Sequence, residues 1–429
     1  MPGAMATRGQ EAGGKPDLLF LAHRIPYPPD KGDKIRAWHL LQHLTRHYRV
    51  HLGAFVDDPD DWRHCDKLRS ICDSTYFAGL NPRLGKLRAL SGLLSGEPLT
   101  LPYYRHPGLQ AWVDAHLRSG VERALCYSSV MGRFVMPLTP SAARERCGPQ
   151  ASPPEVRPDR MRRVMDFVDI DSDKWRQYAA TRAGFFSWPL SWLYRREGER
   201  LLAWERQVAA AFTASLFVSA VEAADFRALA PESAVRIGSY SNGVDADYFS
   251  PVRDYPRPEP LAGTAIVFTG AMDYWPNVDA VTWFAREVMP ELRRLRPDLL
   301  FAIVGGKPSP QVRALATLPG VLVTGRVTDI RPWLAHASVV VAPLRIARGV
   351  QNKVLEGMAM GCTLVVSPQA LEGLTASREE ILLAEGAGGF VARILEVLGG
   401  VNLGAAARQR VLADYAWEAC LAGVDELLQ

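Results

Sequence analysis

Residues 338–368 read "SVVVAPLRIARGVQNKVLEGMAMGCTLVVSP", and this stretch decides the fold. "VVVAPL" is a short apolar run rich in β-branched residues, the pattern of a strand buried on both faces. "RIARGVQ" is a polar loop with one glycine. "NKVLEGMAMG" has helical spacing, with Val354, Leu355, Met358 and Ala359 on one apolar face and Gly361 placed as a C-terminal stop. "TLVVS" is the next strand. Strand, loop, helix and strand in this order make a parallel αβ unit, in which ligands sit at the carboxyl ends of strands beside helix N-termini. Lys353 falls in the first helical turn and Glu356 three residues on, so both side chains face one crevice. A cation beside free backbone N–H groups suits a diphosphate, and a carboxylate one turn deeper suits a pair of ribose hydroxyls. The competing reading is an ordinary surface Lys–Glu pair on a βαβ helix. Spacing alone leaves both open.

The rest of the chain extends this pattern. Downstream of a Pro-rich, charged linker, "VRDYPRPEPLAG" (252–263), come "AIVFTG", "LLFAIVGG", "VLVTGRV", "SVVVAPL" and "TLVVSP", most of them followed by helical stretches. That is a second parallel sheet. Asn277 is placed to cap the helix after "FTGAMDYWP", and "RQRVLADYAWEACLAGVDELL" reads as amphipathic helix. Upstream, "LLFLA" is a first strand and Ile35–Arg46 an amphipathic helix with apolar residues at 37, 38, 40, 41 and 44. The loop between them gathers Arg24, Lys31, Lys34 and Arg36 around Gly32 at a helix N-terminus, with Asp30 and Asp33 offsetting part of the charge. It is either an anion-binding loop, with Gly32 admitting a close backbone approach, or a solvated charged loop. "RVMDFVDI" is a strand that brings Asp169, Asp171 and Asp173 to its carboxyl end, where a carboxylate could be a base or a substrate anchor, or Ser172 or Asp173 a helix N-cap; the glycine and distant Glu of a calcium loop are missing. Residues 174–212 read as helix, with Trp175, Trp188, Trp192 and Tyr194 near Arg195 and Arg196. Ser219 reads as an N-cap with Glu222 at the capping-box position.

Bulk numbers bound the classes. The 429 residues suffice for two or three domains, and 48% hydrophobic with 22% charged content is the range of a globular protein. A net charge of +4 is too small to argue for nucleic acid. Its distribution matters more: residues 81–163 carry 13 basic and 6 acidic residues, which favours an anionic partner such as a phosphorylated acceptor or a membrane surface. Within this region "PRLGKLRALSGLLSGEPLTLPYYRHPGLQAWV" mixes leucines and aromatics with cations. It reads as helices at a membrane interface or as a peripheral cap of the domain. The six cysteines have no CxxC spacing and no histidine at zinc-finger distance, so they read as reduced thiols in a cytosolic protein without a metal site. The opening "MPGAMATRGQEAGGKP" lacks an apolar core and reads as disordered, "CGPQASPPEVRPDR" reads as a surface loop, and no apolar run reaches the length of a transmembrane helix.

Several motifs together resemble one family. "SNGVDADYFSP" is similar to the interdomain "NGVD…F.P" signature of family 4 glycosyltransferases, carried here by Asn242, Gly243, Val244, Asp245, Phe249 and Pro251. "VLVTGRVTDIRPWLAHASVVVAPL" and "KVLEGMAMGCTLVVS" resemble that family's donor-domain runs, and "YAWE" its returning C-terminal helix. The opening "HRIPYPPDKGDKIRAWHLL" and "DFVDIDSDKW" resemble a subgroup, the sugar transferases of PEP-CTERM/exosortase exopolysaccharide clusters.

The resemblance implies a GT-B fold, with two Rossmann-like domains of parallel sheet facing a central cleft. The domains expected are a disordered N-terminus (1–16), an acceptor-side domain (17–250), a linker (251–262), a nucleotide-sugar domain (263–410) and a crossover helix returning to the first domain (411–429). It implies a retaining, metal-independent transferase without a cofactor, taking a nucleotide diphosphate-sugar donor and a glycan or lipid-linked glycan acceptor. The protein would be cytoplasmic, at the inner face of the cell membrane in peripheral contact with anionic lipid. Glu356 would hold the ribose hydroxyls, Lys353 the diphosphate, and Gly32 would approach the same phosphates; Asn277 is added to the donor-binding set. Arg24, Lys34 and Arg36 are candidates for acceptor or phosphate contacts. The family's usual Glu eight residues before the ribose-binding one is Arg348 here, its FG pair is Val350–Gln351, and its catalytic-region His has no match. Arg348 and Asp169 are therefore the catalytic candidates. A nucleotide-sugar epimerase and a non-catalytic scaffold of the same fold are the rival readings.

Overall fold

A computed structural model describes residues 14–136, 160–181, 188–347 and 349–429. The opening 1–13, most of the Pro-rich 147–160 stretch, the Trp188 side chain and Arg348 lie outside the described residues. Packing divides the chain into two compact units, residues 1–167, 171–215 and 427–429 in one and 168–170 and 216–426 in the other. By this division residues 216–250 go with the second unit, whereas the sequence places the boundary at the 251–262 linker.

Both sheets are parallel. The first has seven strands: β1 (Asp17–Ala22), β2 (Arg49–Val56), β3 (Ser74–Gly79), β4 (Arg123–Tyr127), β5 (Arg162–Val168), β6 (Ala214–Phe217) and β7 (Ile237–Ser239), in the order β3-β2-β1-β4-β5-β6-β7. The second has six: β8 (Ala265–Thr269), β9 (Leu300–Val304), β10 (Val321–Gly325), β11 (Val339–Ala342), β12 (Leu364–Val366) and β13 (Leu382–Leu383), in the order β10-β9-β8-β11-β12-β13. Each order runs outward from its first strand in one direction, then reverses. Such a reversal is the mark of a doubly wound Rossmann-like sheet, and ligands bind in the crevice at the reversal point. In the second sheet that point lies between β8 and β11, which pair in parallel register at Val339–Ile266 and Val340–Val267. Every residue of β8 and β11 is buried, which explains why these strands read as continuous apolar runs rather than alternating ones.

In the first unit the charged loop leads into the helix Gly32–His47, one turn longer than its apolar stripe suggests. Arg123 Nε donates to the Leu428 carbonyl at 2.9 Å, so the last residues of the chain belong to this unit. The long helix expected over 174–212 is two helices, Asp171–Thr181 and Trp188–Ala211. Ser172 and Asp173 sit inside the first turn rather than capping it; Ser172 N and Oγ both donate to the buried Glu205, at 3.1 and 2.5 Å.

In the second unit the helix Asn352–Ala359 ends as the sequence predicts, with Gly361 in the left-handed region at φ 66°. Ser219 caps the helix Ala220–Leu229, accepting from Glu222 N at 3.2 Å, while the Glu222 carboxylate accepts from Ile170 N. The "YAWE" stretch is not one continuous helix. The chain leaves the helical path at Tyr415 because its carbonyl accepts from Val244 N at 2.8 Å, and Ala416 forms a β-bridge with Val244. The two motifs of the resemblance therefore pack against each other. Gly243 is required by that packing: a Cβ there would lie 2.8 Å from Trp417 Cδ2 and 2.9 Å from its Cα. Gly243→Ala is expected to destabilise the protein by about 1–3 kcal/mol through overpacking. The check is a urea unfolding midpoint that falls without a change of slope; an unmoved midpoint would remove Trp417 as the reason for the glycine.

Candidate functional site

The site is built at the reversal point of the second sheet, from the two helices that follow β8 and β11. After β8 the chain turns through Gly270 and Ala271 into the helix Trp275–Trp283. The turn is tight: a Cβ on Gly305, in the loop after β9, would lie 1.7 Å from the Gly270 carbonyl oxygen, so the two loops meet backbone to backbone. Asn277 does not cap its helix. It is the third residue in, 3% exposed, with Nδ2 donating to the Ala271 carbonyl at 2.9 Å and Oδ1 turned across to the neighbouring helix. There it accepts from Lys353 Nζ at 3.0 Å.

Lys353 is the second residue of the helix Asn352–Ala359. Its ammonium also donates to Gln351 Oε1 at 3.4 Å and lies 5.5 Å from the centroid of the Phe268 ring, within cation–π range. These partners are neutral. Burial by the surrounding protein pushes the Lys353 ammonium down to about 8, opposed only in part by the negative charge of Glu356. Glu356 sits one turn further on, and burial pushes its carboxyl up to about 7, opposed in part by Lys353. Each group feels the other's charge without closing an ion pair. Among the described residues no donor reaches the Glu356 carboxylate, and no acceptor takes the backbone N–H of Asn352 or Lys353. Both side chains are half-buried, and a partly desolvated carboxylate without a protein hydrogen bond is held in a costly place. Hydroxyl groups would relieve it, and an anion would relieve the cation and the two N–H groups. The helix start is fixed from the side, since Asn352 Oδ1 accepts from Asn242 Nδ2 of the "SNGVD" motif at 3.1 Å.

The structure thus brings Lys353, Glu356 and Asn277 together. Gln351, Phe268 and the Asn242–Asn352 contact were not picked out as site features from the sequence. Asn242 had a signal in its motif; Phe268 is indistinguishable in the sequence from any core strand residue. Asp169 lies in the second unit, its Oδ1 3.5 Å from where a Cβ on Gly349 would stand, beside the loop that leads to Lys353. Arg348, the other catalytic candidate, is outside the described residues.

The basic loop of the first unit is a correction to the sequence reading. Arg36 is fully buried and forks onto Asp166, also fully buried, with Nε at 2.9 Å from Oδ2 and Nη2 at 3.3 Å from Oδ1. Lys34 is 2% exposed and paired with Asp61 at 2.6 Å and Asp30 at 3.8 Å. Neither presents charge to a phosphate; both are structural. Arg24 is engaged by Asp33 and Asp57, each at 3.0 Å, with a quarter of its side chain exposed. Asp33 is half-buried, which alone would raise it, yet the His23 hydrogen bond and the Arg24 charge hold it well below the usual carboxylate range. Gly32 is the exposed first residue of its helix. Asp171, another member of the acidic trio, pairs with Lys174 at 3.1 Å.

Comparison with known proteins bears on this geometry. Residues 263–399 match the family model described as "Glycosyl transferases group 1". No curated protein sequence matches the chain. Solved structures similar in fold include sucrose-phosphate synthase from Thermosynechococcus elongatus, at 17% identity and TM-score 0.63, covering 96% of this chain and 98% of that one. HepE from Anabaena in complex with UDP is 13% identical with TM-score 0.62, over 96% and 99% of the two chains. WaaG, a glycosyltransferase involved in lipopolysaccharide biosynthesis, is 14% identical with TM-score 0.61, over 96% and 99%. At these identities the likeness is one of fold, and that fold is GT-B.

The separation of structural from ligand-facing cations has a direct check. Arg36→Met takes the guanidinium away from the buried Asp166 carboxylate, so a stability loss of about 3–5 kcal/mol is expected, with Asp166→Leu in the same chain restoring much of it. Denaturant unfolding of the single and double variants measures both. Unchanged stability in R36M would return Arg36 to the list of ligand-binding groups.

Proposed function

We propose that this chain, a glycosyltransferase of the group 1, GT-B type, moves a sugar from a nucleotide diphosphate-sugar to a glycan acceptor in exopolysaccharide biosynthesis. The single observation that carries the donor reading is the Lys353–Glu356 arrangement. A desolvated cation with neutral partners and a desolvated carboxylate without a donor stand one helical turn apart, at the reversal point of a Rossmann-like sheet. Lys353 and the N–H groups of Asn352 and Lys353 take the diphosphate, and Glu356 accepts from the ribose hydroxyls. The HepE structures hold UDP and UDP-glucose, which supports a uridine nucleotide as the first donor to try. Catalysis in this reading is electrostatic: Lys353 and Arg348 are the groups assigned to the charge that develops on the departing diphosphate, and Asp169 stands as the candidate in place of the catalytic-region His. Lys353 and the helix N-terminus supply the positive charge, so no metal step is assigned. Retention of anomeric configuration, a lipid-linked acceptor, a place at the inner face of the membrane and a PEP-CTERM/exosortase setting rest on the opening motifs and the family 4 resemblance. No described helix is long and apolar enough to cross a membrane.

Calorimetric titration with UDP tests the donor site. Lys353→Ala is expected to weaken binding about 10- to 100-fold, the worth of a charge-assisted contact; near-normal affinity would reject the assignment. The pH dependence carries a sign for each group. The diphosphate needs the ammonium form of Lys353, so affinity falls as pH rises through about 8. The ribose hydroxyls are accepted best by the carboxylate form of Glu356, so affinity also falls as pH drops through about 7. The pair therefore predicts a bell with its maximum between these values, and proton uptake on binding along its alkaline limb. Turnover with a glycan acceptor should survive EDTA. Conversion of donor alone into a C2 epimer would favour an epimerase, and donor binding without turnover across acceptors would favour a scaffold.

A further inference from the structure

One surface of the first unit inverts the usual arrangement of an amphipathic helix. The helix Pro82–Ala89 and the short helix Ser91–Ser95 turn their smallest residues inward. A Cβ on buried Gly85 would lie 2.6 Å from the Tyr103 ring, and one on buried Gly92 would lie 3.1 Å from the Glu97 carbonyl oxygen. The leucines face out. Leu84, Leu87, Leu90 and Leu94 recur at helical spacing and are 58%, 67%, 54% and 94% exposed, with Leu93 beside them at 40%. Single exposed leucines are ordinary, but a row of them on one face is not. Residues 82–96 contain Arg83, Lys86 and Arg88 and no acid; Arg83 and Lys86 are exposed, while Arg88 donates inward to the Arg105 carbonyl at 2.6 Å.

The patch is held in place from below. Arg196, on the helix Trp188–Ala211, donates from Nη2 to the carbonyls of Gly92 and Glu97 at 2.7 and 3.3 Å. Its neighbour Glu197, buried, accepts from Leu99 N, Thr100 N and Thr100 Oγ1 at 2.7, 3.1 and 2.8 Å. One turn before Arg196, on the same helical face, Trp192 is 55% exposed, and Leu190 near it is 45% exposed. Both are exposed apolar side chains on the helix that anchors the patch.

We propose that this surface seats the protein on an anionic lipid bilayer. The leucines enter the boundary between headgroups and acyl chains, Trp192 takes the interfacial position, and Arg83 and Lys86 meet the lipid phosphates. Charge complementarity selects this occupant over a second copy of the chain, because a two-fold contact through one patch sets its cations against the same cations. The inference locates the membrane contact of the lipid-linked-acceptor reading and rests on that reading for its purpose.

The test is flotation of the full chain with vesicles of phosphatidylcholine alone or mixed with phosphatidylglycerol, over a salt series, with UDP affinity measured in parallel. The wild type is expected to float only with phosphatidylglycerol and to come off as salt rises. The double variants L87S/L94S and R83E/K86E are each expected to lower vesicle affinity about tenfold or more, with UDP affinity unchanged. A wild type that does not float, or variants that float as well as it does, would overturn the proposal. So would a dimer in lipid-free solution that L87S/L94S dissolves. The wild-type comparison stands by itself should a variant misfold. Loss of UDP binding with flotation intact counts against the donor site alone, and the reverse result against this surface alone.

Discussion

The site depends on two opposite charges that share a desolvated pocket edge without neutralising each other. Lys353 and Glu356 are a helical turn apart, each pushed toward its neutral form by burial, and each only partly rescued by the other. A closed ion pair would satisfy both and leave nothing for a ligand. Here the ammonium is held by amide oxygens of Asn277 and Gln351, and the carboxylate has no donor among the described residues. The protein carries an unfavourable local arrangement that a molecule with both an anionic and a hydroxylated part would relieve. A nucleotide diphosphate-sugar, the donor proposed for this chain, has both parts.

Why the arrangement stands there follows from topology. A doubly wound sheet opens a crevice where its strand order reverses, and the helices after β8 and β11 are the two that flank it. Asn277 comes from one helix and Lys353 from the other, so their hydrogen bond ties the two walls together. Behind them the loops after β8 and β9 meet at Gly270 and Gly305, closer than any side chain permits. The Asn242–Asn352 bond fixes the helix start from the "SNGVD" segment, which in turn is held by Tyr415 and Trp417. The motifs far apart in sequence are thus one packed support beneath the donor helix.

Strands and helix stops were legible because burial and backbone geometry write themselves locally. "VVVA" is apolar at every position since β11 is covered on both faces, and Gly361 follows the last helical turn since a left-handed residue is needed there. The break at Tyr415 was not legible. It depends on a hydrogen bond to Val244, more than a hundred residues away, and the local pattern is helical on both sides. Asn277 misled for a related reason. An asparagine near a helix start has the chemistry of a cap, but this one lies three residues past the cap position, and its side-chain oxygen serves the neighbouring helix instead.

The cations show where reading by composition stops. Arg24, Lys34, Arg36 and Lys353 all stand at or near the start of a helix that follows a strand, so sequence spacing treats them alike. What separates them is the partner. Arg36 meets Asp166, Lys34 meets Asp61 and Arg24 meets Asp33 and Asp57, carboxylates contributed by other parts of the fold. A cation already neutralised by a buried carboxylate has its field spent within the protein, and bringing a phosphate to it would require breaking the pair. A cation held by amide oxygens is oriented but not neutralised, so its field remains for an incoming anion. The identity of the oxygen facing each ammonium or guanidinium, carboxylate or amide, therefore distinguishes a structural cation from a binding one. That identity belongs to the folded chain, because Asp57, Asp61, Asp166 and Asn277 come from distant segments.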